Sequence, residues 1–264
     1  MKLDRIILYL NAEFFGLIAV SLFGGTMKTK EVSSFEDLHL ALSQYRADNR
    51  WVFRGHSDLD WELKPKAGRL PYSKQNDLTY FKAWRRRAVE FKTESSPTSE
   101  WEWLAVAQHH GLPTRLMDWT YNPLVAAYFA VNGPANSDSV IYCYKSTKFV
   151  SDASCKLEDY RGGVVLYKPY AVVPRISRQS GLFTLHPIPE ESMLDTSESE
   201  YIERIIIKKN YRDKLKFELN QYGINKLNLF ADLDGLSEHI CWHIENSDYW
   251  SNHEEFIETL ENIS

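Results

Sequence analysis

The run Gln108-His109-His110-Gly111-Leu112-Pro113-Thr114-Arg115-Leu116-Met117-Asp118-Trp119-Thr120, followed closely by Asn122-Pro123-Leu124-Val125-Ala126-Ala127-Tyr128-Phe129-Ala130, decides how this chain is organised. It divides two helical patterns. Before it, Ser99 to His110 reads as a helix, and Gly111 suits the left-handed position that closes a helix C-terminus. After it, Asn122 as N-cap and Pro123 at the first helical position open another helix. Leu124, Ala127, Tyr128 and Val131 form one stripe of that helix with Ala126 and Ala130 beside it, and Gly133-Pro134 stops it. The segment between the helices sets Arg, Asp, Thr, His and Gln among apolar anchors, so its polar groups need partners or a ligand.

Outward from this segment the two sides differ. Towards the N-terminus, Ser34 with Asp37 three residues on is a capping-box-like start, and Phe35, Leu38, Leu42 and Tyr45 recur at helical spacing. Asp48 and Asn49 break that helix, and Trp51-Val52-Phe53-Arg54-Gly55 reads as a short strand ending at a glycine. A further helix is expected from Leu78 to Lys92, ended by Ser95-Ser96-Pro97-Thr98. Towards the C-terminus the period shifts to two, with strand-like runs at Val140 to Tyr144, Val164 to Tyr167, Leu182 to Leu185 and Ile202 to Ile207. A basic helix from Asn210 to Asn220 and a last helix after Asp234-Gly235 close the chain. Helices first and strands later predict an α+β fold, with N-terminal helices packed on a mostly antiparallel sheet rather than βαβ units. With no repeat and no linker, this is one domain.

The chain has 264 residues, enough to bury a sizeable core, and its 8 Trp, 15 Tyr and 13 Phe supply much of it. Thirty-one Lys and Arg against 36 Asp and Glu give a net charge of −5, which excludes a polycation that coats nucleic acid or anionic membrane indiscriminately. Local positive runs remain at Trp84-Arg85-Arg86-Arg87 and at Arg204, Lys208, Lys209, Arg212, Lys214 and Lys216, read either as solvated faces or as a groove for RNA or DNA. Cys143, Cys155 and Cys241 show no CxxC spacing, so neither a disulfide framework nor a zinc site is indicated, and the expected compartment is the reducing cytoplasm. The apolar run from Ile6 to Phe23 is interrupted by Asn11 and Glu13, which favours an N-terminal extension over a membrane-targeting segment, and Met27 stands at the start of the folded unit. The expected division is an extension at 1–30 and a folded unit at 31–264, with no stable membrane partner.

Familiar catalytic signatures are missing: no P-loop, GxGxxG, GxSxG or HExxH occurs. His109 and His110 are adjacent, so on a helix they point about 100° apart and cannot share one metal as an i, i+4 pair could; no metal is expected. Arg115 and Asp118 read either as a buried ion pair that fixes the segment or as ligand-binding groups. Arg54 reads either as an edge-strand salt-bridge residue or as a guanidinium fork for phosphate or carboxylate, with Gly55 letting a ligand approach the backbone.

Trp51 to Gly55, Leu104 to Thr120 and Asn122 to Ala130 together resemble the FRG domain family, named for its Phe-Arg-Gly signature, over roughly Ser34 to Thr147. Arg178-Gln179-Ser180-Gly181-Leu182-Phe183 looks like the family's later motif. The order of these motifs is in turn similar to the ADP-ribosyltransferase fold, in which an early-strand Arg or His holds NAD, a Ser/Thr-bearing strand precedes a helix of small and aromatic residues, and a late strand presents Glu or Gln. This resemblance implies an ADP-ribosyltransferase-like sheet and an NAD-dependent transfer to a macromolecule, as in a toxin or antiviral effector, with an antitoxin or other regulator as a partner. Arg54, Gly55, Gln108 and Arg115 would bind NAD, Trp119 or Tyr128 would wall the nicotinamide, and Asp118, Thr120 and Gln179 would serve catalysis. Gln179 departs from the pattern because Ser180 and Gly181 follow it instead of x-Glu. The acid that activates the acceptor is then Asp118 first, with Glu200 and Glu203 behind it, while Gln179 reads equally as a turn residue whose amide satisfies backbone groups. The rival reading is a noncatalytic nucleic-acid or protein-binding module; a two-metal nuclease lacks its carboxylate cluster.

Overall fold

A computed structural model describes residues 27–91, 97–134, 136–150, 155–169 and 178–246. Its framework is a mixed sheet of β1 (Thr29–Val32), β2 (Trp51–His56), β3 (Leu116–Thr120), β4 (Ser139–Lys145), β5 (Phe149–Val150), β6 (Val165–Tyr167), β7 (Gly181–Leu185) and β8 (Ile202–Ile207). The spatial order is β1-β8-β4-β2-β3-β7-β6-β5. The edge pairs β1·β8 and β5·β6 are parallel, and the five pairs between them are antiparallel. This is the mostly antiparallel α+β sheet that the sequence predicts.

The order of elements corrects one expectation. Helices do not simply come first and strands later: besides β2, which the sequence reads as a strand, β1 and β3 also precede the fourth helix. β1 also lies across the boundary drawn between residues 30 and 31, with Thr29 to Val32 in register with Arg204 to Ile207. The run from Ile6 to Phe23 falls outside the described residues, and among the described ones no helix is long and apolar enough to cross a membrane.

The helices are α1 (Phe35–Ser43), α2 (Asp77–Ala88), α3 (Glu100–His109), α4 (Pro123–Val131), α5 (Arg212–Gln221), α6 (Lys226–Phe230) and α7 (Leu233–Glu245). Their starts follow capping chemistry. The Ser34 hydroxyl accepts from Asp37 N–H, Ser99 and Glu102 form a reciprocal capping box, and Asn122 Oδ1 accepts from Leu124 N–H ahead of Pro123. Gly111 sits at φ 86° just past α3, as its place in the sequence requires. α7 begins at Leu233, capped by Asp232, so Asp234-Gly235 lie inside its first turn rather than before it.

Strand alternation sorts the core. On the front face, Phe53, Ile141, Cys143, Ile205 and Ile207 pack under α1, α4 and α5, whereas Leu116, Val165, Tyr167, Phe183 and Leu185 pack under α2 and α3. On the back face one cluster runs beneath both halves, from Val52, Tyr142 and Ile202 to Met117, Trp119 and Leu182, covered by the segments around Leu63 and Met193. The front therefore has two cores and a gap, and the gap lies over β2 and β3.

Candidate functional site

β2 and β3 are neighbours in register at a single pair, Phe53 with Thr120. Beyond it the strands separate, and a cavity of about 380 Å³ opens in the seam. Two walls are fixed by helix packing. α4 lies so close over β2 that a Cβ on Gly55 would stand 2.0 Å from the Ala126 carbonyl and 2.5 Å from the Ala130 nitrogen. Gly55 thus gives α4 its close approach to the sheet, and it also lines the cavity. The small residues Ala126, Ala127 and Ala130 are buried on the same account. From the other half, α3 brings Gln108 and His109 to the rim.

Arg54 occupies the seam. Its Nη1 donates to the Asp118 backbone carbonyl at 2.6 Å and lies 3.6 Å from the Asp118 carboxylate, so the guanidinium bridges strands that no longer pair. Its Nε donates to His56 Nε2 at 3.0 Å, which fixes the His56 proton on Nδ1. Burial in the seam works against the charged guanidinium, Asp118 supports it and Arg69 opposes it. His56, behind Arg54, is held neutral: burial, and after it Arg54 and Arg69, push its pKa down to about 2. Its Nδ1 meets no acceptor in hydrogen-bonding geometry, the Trp61 backbone lending only a weak pull.

The Asp118 carboxylate is 60% exposed at the rim and accepts from Gln108 Nε2 at 3.1 Å. Gln108 is itself oriented, because its Oε1 accepts from the Thr114 hydroxyl, which accepts from Leu116 N–H. Thr120 also lines the cavity, but its hydroxyl is committed: it donates to Gln179 O at 2.6 Å and accepts from Asn122 N–H at 3.0 Å. Gln179 reaches the cavity, with its amide donating to Leu229 O and Ser180 beside it at φ 48°. That matches the turn-residue reading of Gln179.

Five residues of the sequence-based assignments lie elsewhere than expected. Arg115 does not pair with Asp118. It makes a bidentate bond to Asp77 at the start of α2 (Nε to Oδ2 2.8 Å, Nη2 to Oδ1 2.6 Å) in a buried setting, and it lines no part of the cavity. The reason is that Arg115 stands at a bend just before β3 and turns towards α2, while Asp118 sits within the strand and faces the gap. Tyr128 is buried on the side of α4 turned towards α5 and α7, away from the seam. Trp119 points to the back face, where its indole N–H donates to Thr184 and its ring packs on Tyr144, so its strand borders the cavity but the ring is part of the core. Glu200 and Glu203 are also elsewhere: Glu200 lies on a short turn before β8, and Glu203 on β8 is held by Lys28 and Tyr45. Asp118 is the carboxylate among the described residues lining the cavity.

The aromatic rings that do line it are Phe53, Trp61, Phe129 and Phe183, and a second cation, Arg69, joins Arg54. Trp61 and Arg69 come from the stretch between β2 and α2, whose sequence has neither helical nor strand periodicity. A lone Trp and a lone Arg there carry no spacing signal, which is why sequence reasoning passes over them.

The basic runs do not gather at the seam. Arg204 donates to Thr29, Lys208 bridges Glu31 and Asp138, Arg212 is buried against carbonyls of Ala130, Gly133 and Ser137, Lys214 meets Glu218, and Lys216 sits over Trp242.

Residues 49–139 match the family model described as FRG domain, a span that contains β2, α2, α3, β3 and α4. No curated protein and no solved structure matches the chain.

Proposed function

We propose, from the premise that this chain carries an FRG domain, that it is an NAD-dependent ADP-ribosyltransferase acting on a macromolecule, with Arg54 and Asp118 at its working centre. The observation that carries this reading is the splayed seam: a mostly antiparallel sheet opened between two central strands, with a guanidinium pinned across the opening and a solvent-facing carboxylate 3.6 Å from it. The seam cavity and the adjoining groove, lined by Arg54, Lys66, Arg69 and Tyr72, each measure about 380 Å³. Pockets for small ligands and cofactors span about 300–1,000 Å³, and the two spaces share Arg54, Arg69, Gln108 and Asp118 as common walls.

The chemistry asked of the site is simple. The bond between ribose C1′ and the nicotinamide nitrogen breaks, and nicotinamide leaves with the bond's electron pair. Positive charge builds on the ribose, so an adjacent carboxylate is favourable to the transition state. A lone pair on the acceptor's oxygen or nitrogen forms the new bond to C1′, and the acceptor's proton passes to Asp118. Gln108 holds the Asp118 carboxylate in place through its amide, and Arg54 supplies charged N–H donors to the dinucleotide's phosphates. Phe129, Phe183 and Trp61 offer ring surfaces for the bases. Thr120 and Gln179 hold the seam together rather than touching reacting atoms. The three cysteines are free, which fits a reducing cytoplasm, and a transferase of this kind acts on cell growth or on an invader as an effector.

The test is labelled NAD incubated with the protein and total cell extract, with nuclease and protease sensitivity naming the acceptor. Asp118→Asn should lower turnover by about 10²-fold or more while leaving NAD affinity and thermal stability near wild type, since the carboxylate is exposed at the rim and Arg54 keeps its hydrogen bond to the Asp118 backbone carbonyl when the charge is removed. Unchanged turnover in that variant would remove Asp118 from the chemistry. Absence of any labelling, with nucleic acid or protein still bound, would convert the reading to a binding module.

A further inference from the structure

We propose that Arg69 and Arg54 together form a two-guanidinium grip for the diphosphate of a nucleotide. The inference deepens the reading above, since it names the groups that would hold the NAD diphosphate, and it is tested by binding so that the two can fail separately.

Arg69 follows a short 3₁₀ turn, Lys66–Gly68, and the chain there is fixed by a close approach: a Cβ on Gly68 would meet the Pro189 carbonyl at 1.7 Å. One edge of its guanidinium is pinned by main-chain carbonyls. Nε and Nη2 donate to Lys64 O at 3.2 and 2.9 Å, and Nη2 also reaches Glu62 O at 3.3 Å. Its Nη1 takes no acceptor among the described residues, and no carboxylate there is within ion-pair distance of it. Arg54 is built the same way. Nε and Nη1 are spent on His56 and the Asp118 carbonyl, and Nη2 has no acceptor among the described residues.

Both arginines line the seam cavity and the groove next to it, where Lys66 adds a third cation and Asp118 is the one carboxylate among the described residues. Burial works against both guanidiniums, the Arg69 charge opposes that of Arg54, and the neutral His56 in the wall of the same cavity cannot relieve them. Like charges converging with spare donors are unfavourable unless an anion joins them. Two separate forks, each with one free N–H face, fit two phosphoryl groups better than one. His56, whose buried Nδ1–H meets no acceptor in hydrogen-bonding geometry among the described residues, lines the same cavity. A polymer backbone is the poorer occupant, because the basic runs at residues 85–87 and 204–216 do not continue this charge.

Inorganic pyrophosphate is the probe, measured by calorimetry on the full chain. Wild type should bind it about tenfold or more tightly than orthophosphate, and Arg69→Gln should lose that preference with at least as large a fall in affinity. Because Arg69 also braces Lys64 and Glu62, a second measurement uses the wild-type protein alone. Phenylglyoxal modification followed by mass spectrometry should show pyrophosphate shielding Arg54 and Arg69 while the exposed Arg86 and Arg87 stay reactive. Absence of pyrophosphate binding, unchanged affinity in Arg69→Gln, or shielding of Arg54 without Arg69 would each overturn the grip. A single-stranded RNA that outcompetes pyrophosphate and shields Arg86 and Arg87 would overturn it in favour of a polymer groove. Shielding of both arginines without NAD-dependent labelling would keep the grip and discard the transferase.

Discussion

The two halves of the sheet are built by different means. The β1-β8-β4-β2 half has long, fully registered pairs, with six residue pairs each for β2·β4 and β4·β8, and its front is closed by α4, whose alanines let backbone meet backbone. The β3-β7-β6-β5 half has shorter ladders, five pairs for β3·β7 and three for β6·β7, and it is tied to α2 by the buried Asp77–Arg115 pair. The first half is held by dispersion and close approach, the second partly by a charge pair whose geometry must be kept. Their front cores stop short of each other while the back core is shared, so the join is strong behind and open in front. A cleft of this kind needs no special loop; it follows from helices that cover each half without covering the seam.

The difference can be broken one half at a time. Gly55→Ala should be the most damaging, because the new methyl collides with the main chain of α4, which has no side-chain rotamer to yield; more than about 3 kcal/mol is expected, read by chemical denaturation. Asp77→Ala should cost about 3–5 kcal/mol by leaving Arg115 buried without its partner. If the halves are independent in front, the first variant should loosen hydrogen-exchange protection in β2 and α4 before β7, and the second should do the reverse.

The two halves share one trait, a buried neutral histidine near the seam. Burial and Arg54 push His186, just past β7, down to about 3, as burial with Arg54 and Arg69 pushes His56 down to about 2. Both folded values lie below the ordinary 6.5, so the unfolded chain binds more protons from pH 6.5 downwards and stability must fall with falling pH. The fall should be about 1.4 kcal/mol per pH unit for each histidine, hence about 2 kcal/mol each at pH 5. Denaturation at several pH values tests it: His186→Gln and His56→Gln should each flatten the slope, and an unchanged slope in both would place the acid sensitivity elsewhere.

Much of the first half was legible because its signals are local. Asn122-Pro123 announces α4, the isoleucine-rich run Ile202 to Ile207 announces β8, and Trp51 to Gly55 announces β2, which extends one residue further to His56. The seam was less legible because it is a relation between strands distant in sequence. Asp118, Gln108 and Arg54 were found through motif order, and all three line the cavity. Neither sequence reading of Arg115, as a partner of Asp118 or as a ligand-binding group, reaches its actual partner Asp77, which lies 38 residues away. Trp61 and Arg69 sit in an aperiodic stretch, where only tertiary placement gives a side chain its role. The short β1 and β5 were missed because four and two residues show too little alternation to register.

The smallest expected effect bears on the join itself. Thr120 is the one residue of β3 in register with β2, and its hydroxyl donates to Gln179 O and accepts from Asn122 N–H, so it links the join to the strand entry of β7 and the start of α4. Thr120→Ser keeps both bonds and should be close to neutral. Thr120→Val keeps the shape and removes both, leaving a carbonyl and an N–H without partners, at about 1–2 kcal/mol. If the hydroxyl is a latch, the Val variant melts earlier but binds pyrophosphate with wild-type affinity well below its melting temperature. If the hydroxyl instead touches reacting atoms, turnover collapses in the Val variant at temperatures where its fold is intact, and Thr120 returns to the catalytic set that its position in β3 first suggested.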